Sequence, residues 1–297
     1  MPQANTITIG CDPEWFIIND RRAVAITATD AAVEGTKDDP ISSPEYGEGF
    51  AYHRDNVMIE AACPPTSDAY QFQDYVNAMQ GMCNRYLRSL NPGYSIYRHS
   101  AMQQFSDAEL AAPEAREFGC EPDNDAYEGG AQRIVPDGIL GNYRTAGGHI
   151  HIGTTSGFNC PSFIVALMCD LLIGPALARG FAAGLGVPNE GQGFMWYRKP
   201  GLYREKEYGI EYRTPSNLWT FDDQMIQGVH NQATLVGKIC SEQDANVIRN
   251  IVNAVDWVKV RSIIMGQNRD LVNIREFQIQ AMSIVDKFSV KKPRRVR

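Results

Sequence analysis

Gly147-Gly148-His149-Ile150-His151-Ile152-Gly153 is the stretch on which the fold turns. Apolar residues alternate with histidines at a period of two, which is strand geometry: Ile150 and Ile152 take one face, His149 and His151 the other. Glycines at 147, 148 and 153 mark a bulge or a close approach of the backbone to another group. Two further stretches repeat the pattern. Gly10-Cys11-Asp12-Pro13-Glu14 places two carboxylates on one strand face. Tyr208-Gly209-Ile210-Glu211-Tyr212-Arg213-Thr214-Pro215 places Glu211 beside Arg213, with Ile210 and Tyr212 opposite. A fourth candidate strand, residues 56–63, carries the lone carboxylate Glu60 among apolar neighbours and is closed by Pro64-Pro65. If the four strands share one sheet, a single face carries Asp12, Glu14, Glu60, His149, His151, Glu211 and Arg213.

Around these strands the chain reads as follows. Residues 70–90 have helical period, with Tyr75, Met79, Met82, Tyr86 and Leu87 on one face, and Asn91-Pro92-Gly93 ends the helix. Residues 106–142, rich in Pro, Gly and Asp, and residues 184–201, rich in Gly and Pro, read as long loops. The apolar stretch 163–187 is interrupted by Asp170, Pro175 and Arg179 and reads as a buried helix pair rather than a bilayer span. Residues 221–288 look mostly helical, and 289–297 form a basic tail. Strands and helices do not alternate in βαβ order, so the expected class is α+β: one domain over 1–297, an antiparallel sheet with helices packed on one side.

Composition narrows the function. The 297 residues include 28 Lys and Arg against 35 Asp and Glu, a net charge of −7 that disfavours a nucleic-acid surface. Seven cysteines, none in C-x-x-C spacing, suit reduced thiols better than a disulfide framework or a thiolate zinc site. The first ten residues lack the charged and apolar regions of a signal peptide, and a soluble, cytoplasmic protein without membrane or nucleic-acid partners is expected.

So many carboxylates on one face repel one another unless a cation compensates. Oxygen donors with an occasional imidazole suit Mg²⁺ or Mn²⁺, and the chemistry they support is phosphoryl transfer, with an arginine meeting the charge that develops on the transferred group. Taken singly, each pair has an ordinary reading: Glu-x-Arg as a solvated cross-strand ion pair, His-x-His as two exposed rings, Asp-Pro-Glu as a turn. Their conjunction amid apolar and glycine neighbours argues for one site. Neither a Walker-type phosphate loop nor Gly-x-Gly-x-x-Gly occurs.

At these residues the sequence resembles the glutamine synthetase and glutamate–cysteine ligase superfamily, and most closely the phage-encoded COOH·NH2 ligase type 2 family. The matching blocks run in the superfamily's order: Gly10-Cys11-Asp12-Pro13-Glu14-Trp15-Phe16, Asp55-Asn56-Val57-Met58-Ile59-Glu60 with Pro64-Pro65, Phe118-Gly119-Cys120-Glu121-Pro122-Asp123, the His149-x-His151 strand and the Glu211-x-Arg213 strand. They span residues 10 to about 220. The resemblance implies a curved antiparallel catalytic sheet with helices on its outer side, and an ATP-dependent ligase that joins a carboxylate to an amine through an acyl phosphate. Asp12, Glu14, Glu60, His149 and Glu211 would hold two or more Mg²⁺ or Mn²⁺ ions, Asp12 standing where Glu is usual. Arg213 would contact the transferred phosphoryl group, with Glu211 and Glu60 also serving catalysis. Arg198 and Arg204 would hold ATP phosphates, and His151 would lie nearer the acceptor carboxylate. Glu121, Asp123 and Asp125 are candidates to hold the amine, against loop solubility and Asx-turn chemistry as the plainer account. Implied partners are a small-molecule or peptide carboxylate and an amine, in the host cytoplasm for a phage-encoded chain. Members of the superfamily often assemble into rings, but the N-terminal domain that helps build those of glutamine synthetase is not expected here, and the resemblance leaves a homo-oligomer open.

Two other readings stand beside the ligase. A zinc hydrolase using His149, His151 and Glu211 explains three residues and leaves the other acids idle. A noncatalytic nucleotide- or metal-binding module of the same fold would keep the acids without turnover.

Overall fold

The strand begun at Ile7 runs on through the Asp12–Glu14 pair to Asn19, and this long β1 (Ile7–Asn19) is the spine of the protein. The structure, a computed structural model, describes residues 5–116, 123–133, 141–185, 198–267 and 269–289. The odd-numbered residues Ile7, Ile9, Cys11, Trp15 and Ile17 enter the main core, while Asp12 and Glu14 point to the other face. β1 pairs antiparallel with β11 (Gly148–Thr154) along its first half and with β5 (Met58–Ala62) further on. Its end also pairs with β2 (Val24–Ile26) and β6 (Tyr94–Ile96).

Outward from β1, the order on one side is β5, β4 (Ala51–Asp55) and β3 (Ile41–Ser42). On the other side come β11, β13 (Gly209–Tyr212), β12 (Leu202–Lys206), β8 (Asp123–Asp125) and β9 (Ala131–Arg133). The described residues thus form an 11-stranded antiparallel sheet, with β7 (Met102–Gln104) and β10 (Tyr143–Thr145) as a separate pair. The four strands expected to share a sheet stand side by side as β5, β1, β11 and β13.

One face of the sheet is covered by helices. They are α1 (Ala69–Leu90), α3 (Ser162–Gly180), α4 (Asp223–Glu242), α5 (Ala245–Asn253), α6 (Trp257–Ile264) and α7 (Leu271–Phe288), while the single turn α2 (Pro113–Arg116) lends Ala115 to the other face. α4 packs on β1 and β11, and α3 on β12 and β13. α1, α4, α5, α6 and α7 each begin on an aspartate, at 68, 222, 244, 256 and 270, whose side chain accepts a hydrogen bond from the first turn. On the opposite face a small second core of Phe16, Val57, Met58, Phe105, Leu110 and Ala146 closes the far end of β1.

Several local expectations need correction. Asn56 adopts a left-handed turn (φ 52°) between β4 and β5, so strand structure starts at Met58 rather than at 56. The stretch 163–187 is not a helix pair: α3 runs unbroken past Pro175, followed by one wider turn over Phe181–Leu185. Proline costs a helix interior about 3 kcal/mol, and here contacts with α4, α6, α7 and the sheet on all sides outweigh it. By length and composition this helix would also suffice to cross a membrane, but 67 % of its apolar window is buried within the fold, as in a core helix. The loop 106–142 contains β8 and β9, and β12 begins directly after the second long loop. The basic tail lies outside the described residues from 290 onward.

Candidate metal centre

Neighbour order and the two-residue period bring the polar residues into one row. Asp12 stands opposite His149, and Glu14 opposite Glu60, which faces His53 on its other side. His151 stands opposite Glu211, and Glu211 opposite Arg204. Side chains so paired are ordinarily about 5 Å apart at Cβ, and like charges facing one another, as Glu14 and Glu60 do, are destabilising without a cation. Asp55 belongs to the same face, two residues beyond His53 on β4.

Two groups of three could each hold a metal ion: Asp12, His149 and Glu211, and Glu14, Asp55 and Glu60, the donor atoms in each lying within 4.8 Å of one another. In the first, His149 Nδ1 is 3.3 Å from Asp12 and 3.7 Å from Glu211. The groups adjoin through His149, whose Nε2 lies 3.8 Å from Glu14. That Nε2 is buried and without a hydrogen-bond partner among the described residues, an orphaned atom of the kind a cation satisfies. Carboxylates are hard donors suited to Mg²⁺ or Mn²⁺ and outnumber the single borderline imidazole, and three protein donors are fewer than the roughly six such ions take.

A cluster of cations flanks the first group. Arg213 is paired with Glu211, and its Nη1 lies 3.1 Å from His149 Nδ1. Its Nε is 2.8 Å from Asp123, which also holds Arg204 Nε at 3.2 Å. Lys206 Nζ is 2.8 Å from Glu211.

These surroundings split the acids. Burial pushes Asp12 up, but His151 and His149 together hold it well below the ordinary carboxylate range. Burial and Asp12 likewise raise Glu211, yet Arg213, His149 and His151 bring it down to about 2. Glu60 is pushed well above its usual value by burial and by Asp12, Asp55 and Glu14, and Asp55 is raised to about 7 by burial and Glu14. The first group carries its own neutralising cations; in the second, Asp55 and Glu60 favour protons and so have more to gain from an added ion.

The backbone is shaped for this packing. Gly147 donates its N–H to Glu14 Oε2 at 2.6 Å, and a Cβ there would run into the His149 ring. At Gly148 a Cβ would lie 2.5 Å from Ser216 O and 2.6 Å from the Trp219 indole nitrogen. Asn217 donates to Glu14 O at 2.8 Å, locking the turn after β13 onto β1.

Asp12, Glu14, Glu60, His149, Glu211 and Arg213 therefore come together on one face as the spacing suggests. His151 is beside them, 3.1 Å from Asp12, but it is hydrogen-bonded to Tyr208 and lies outside both ligand groups. The triplet grouped around His149 contains Asp12, whereas the zinc reading uses His151 in its place. Arg204 is a buried residue of β12 rather than a loop arginine. Arg198, 1 % exposed with φ 57°, is likewise buried. Of the three amine candidates, Asp123 is engaged by two arginines, Asp125 caps the turn at Tyr127, and Glu121 lies outside the described residues. Sequence reading missed Asp55 and Lys206. Arg204-Glu205-Lys206 repeats the period-two signal of the other strands, whereas Asp55 joins the face only through the hairpin that folds β4 onto β5.

No protein-family model matches this chain, and no curated protein matches it.

Proposed function

We propose that the protein is an ATP-dependent, divalent-metal-dependent carboxylate–amine ligase built on a glutamine-synthetase-like sheet. The observation that supports it most is the pair of adjoining three-donor groups on one sheet face, with Arg213 against the first. The order of the motif residues along the antiparallel strands supports it too. A zinc hydrolase needs neither a second group nor the cations at Glu211.

In this reading Asp12, His149 and Glu211 hold one ion, and Glu14, Asp55 and Glu60 another. Divalent ions supply neutralisation of the nucleotide's phosphate oxygens. The substrate carboxylate attacks the γ-phosphorus of ATP, the bond to the β-phosphate oxygen breaks, and ADP leaves. Arg213, fixed by Asp123, would meet the charge on the transferred phosphoryl group, with Arg204 and Lys206 at the same end. The amine nitrogen then attacks the acyl carbon, phosphate leaves, and the amide forms as a base takes the amine's proton.

The test is phosphate release from ATP with Mg²⁺ or Mn²⁺ over a panel of carboxylates, with and without hydroxylamine. Hydroxamate formed in step with ADP is the expected result, since it traps the acyl phosphate. Neither ATP binding nor turnover, with metal-dependent hydrolysis in their place, would overturn the ligase in favour of the hydrolase.

A further inference from the structure

Asp170 lies near the middle of the apolar helix α3, fully buried, on the far side of the sheet from the metal centre. Its carboxylate accepts hydrogen bonds from the Tyr212 hydroxyl at 2.5 Å and the Tyr127 hydroxyl at 2.8 Å, and from the backbone N–H of Gly201. All three donors are neutral. A buried carboxylate held this way is costly, and a well-packed apolar side chain is often no less stabilising in such a place. Burial raises its acid to about 7, against the pull of the two tyrosines.

The donors come from three separate segments, and each carries a charged member of the cluster on the other face. Tyr212 lies between Glu211 and Arg213. Tyr127 is in the turn that follows β8 and Asp123. Gly201 leads into β12 and Arg204. On the site face these four groups interlock through Asp123–Arg213, Asp123–Arg204 and Arg213–Glu211.

We infer that Asp170 is a positioning residue: it ties β13, the start of β12 and the β8 turn together from the core side, so that Glu211 and the Arg213–Asp123–Arg204 cluster hold register beside His149. Its effect on metal affinity rests on the ligase reading of the first group; its effect on the arginines does not.

The experiment compares full-length wild type, Asp170→Asn, Tyr212→Phe and the double variant. In metal-free protein the side-chain Nε–H resonances of Arg213 and Arg204 are followed by NMR, and Mn²⁺ binding is titrated separately. Both single variants are expected to stay folded and to shift or broaden the Arg213 Nε–H signal. Each should weaken one Mn²⁺ site about tenfold, the usual lower effect of losing an outer support, and leave the other unchanged. The double variant should fall short of the sum of the two single effects, because both substitutions act on the same Tyr212–Asp170 bond. Altered melting with wild-type arginine signals and wild-type Mn²⁺ affinities would overturn the inference and leave Asp170 a purely structural group. If Asp170→Asn does not fold, Tyr212→Phe decides alone, since it deletes one hydroxyl. A wild type that binds no Mn²⁺ would remove the metal reading, while the Arg213 signal would still decide the role of Asp170.

Discussion

Glu211 is the residue at which the fold's charges converge: Arg213 and Lys206 are paired with it, Arg204 is 4.0 Å away, and His149 lies 3.7 Å from the same carboxylate. Glu211→Gln keeps the shape and one acceptor oxygen but removes the charge that an ion needs. For the proposed ligase, ATP turnover should fall at least about 100-fold, with the circular dichroism spectrum unchanged. A folded variant with wild-type turnover would take Glu211 out of the site. Glu211, like Asp12, Glu14, His149, His151 and Arg213, is legible in the sequence because it sits two positions from another polar group among apolar or glycine neighbours, and Glu60 because it is a lone carboxylate among apolar ones. Asp55 is not, because its partners Glu14 and Glu60 reach it across strand pairings rather than along the chain.

Among elements, β1 and β11 carry the architecture, and the place where they are most tightly constrained is Gly148. A methyl group there would press on Ser216 O and the Trp219 indole, which itself donates to Gly148 O at 3.0 Å. Gly148→Ala should cost about 1–3 kcal/mol, read as a lower urea midpoint with unchanged m-value. An unchanged midpoint would mean that the turn after β13 yields freely. Elements with a strong period read well: the helix expected over 70–90 is Ala69–Leu90, and the His-x-His strand is Gly148–Thr154. β12 escaped notice because its five residues directly follow a Gly- and Pro-rich stretch and include three charged side chains, which look like loop until β13 is there to pair with them. Pro175 alone would break α3 in two, as the sequence suggests, but packing on all sides keeps the helix whole.

At the scale of the whole molecule, the two acid groups should make stability respond to pH and metal together. Asp55 rises from an ordinary 3.8 to about 7 in the fold, and Glu60 is raised as well. The folded state then holds protons that the unfolded chain has released, so the metal-free protein loses stability on their account as pH climbs from about 4 to about 7. Asp12 and Glu211 act in the opposite sense, their contribution being present above the unfolded values and lost only in strong acid. A cation competes with the protons on Asp55 and Glu60. Saturating Mn²⁺ should raise the melting temperature by on the order of 5 °C at pH 8 and clearly less at pH 5.5. Equal shifts at both pH values would take Asp55 and Glu60 out of the ion's coordination.

Alternation along the chain already assigns polar groups to a shared strand face, because the two-residue period is a local property of an extended backbone. The sequence also determines that the face is rich in carboxylates and that an ion or other cations must answer them. Which strands are neighbours follows from the folded arrangement alone. That order placed Asp55 with Glu14 and Glu60, gave Asp12 rather than His151 to the triplet around His149, and set Asp170 behind the arginine cluster. Those placements depend on core packing between segments far apart in the chain, where side-chain fit and loop closure act and periodicity is silent.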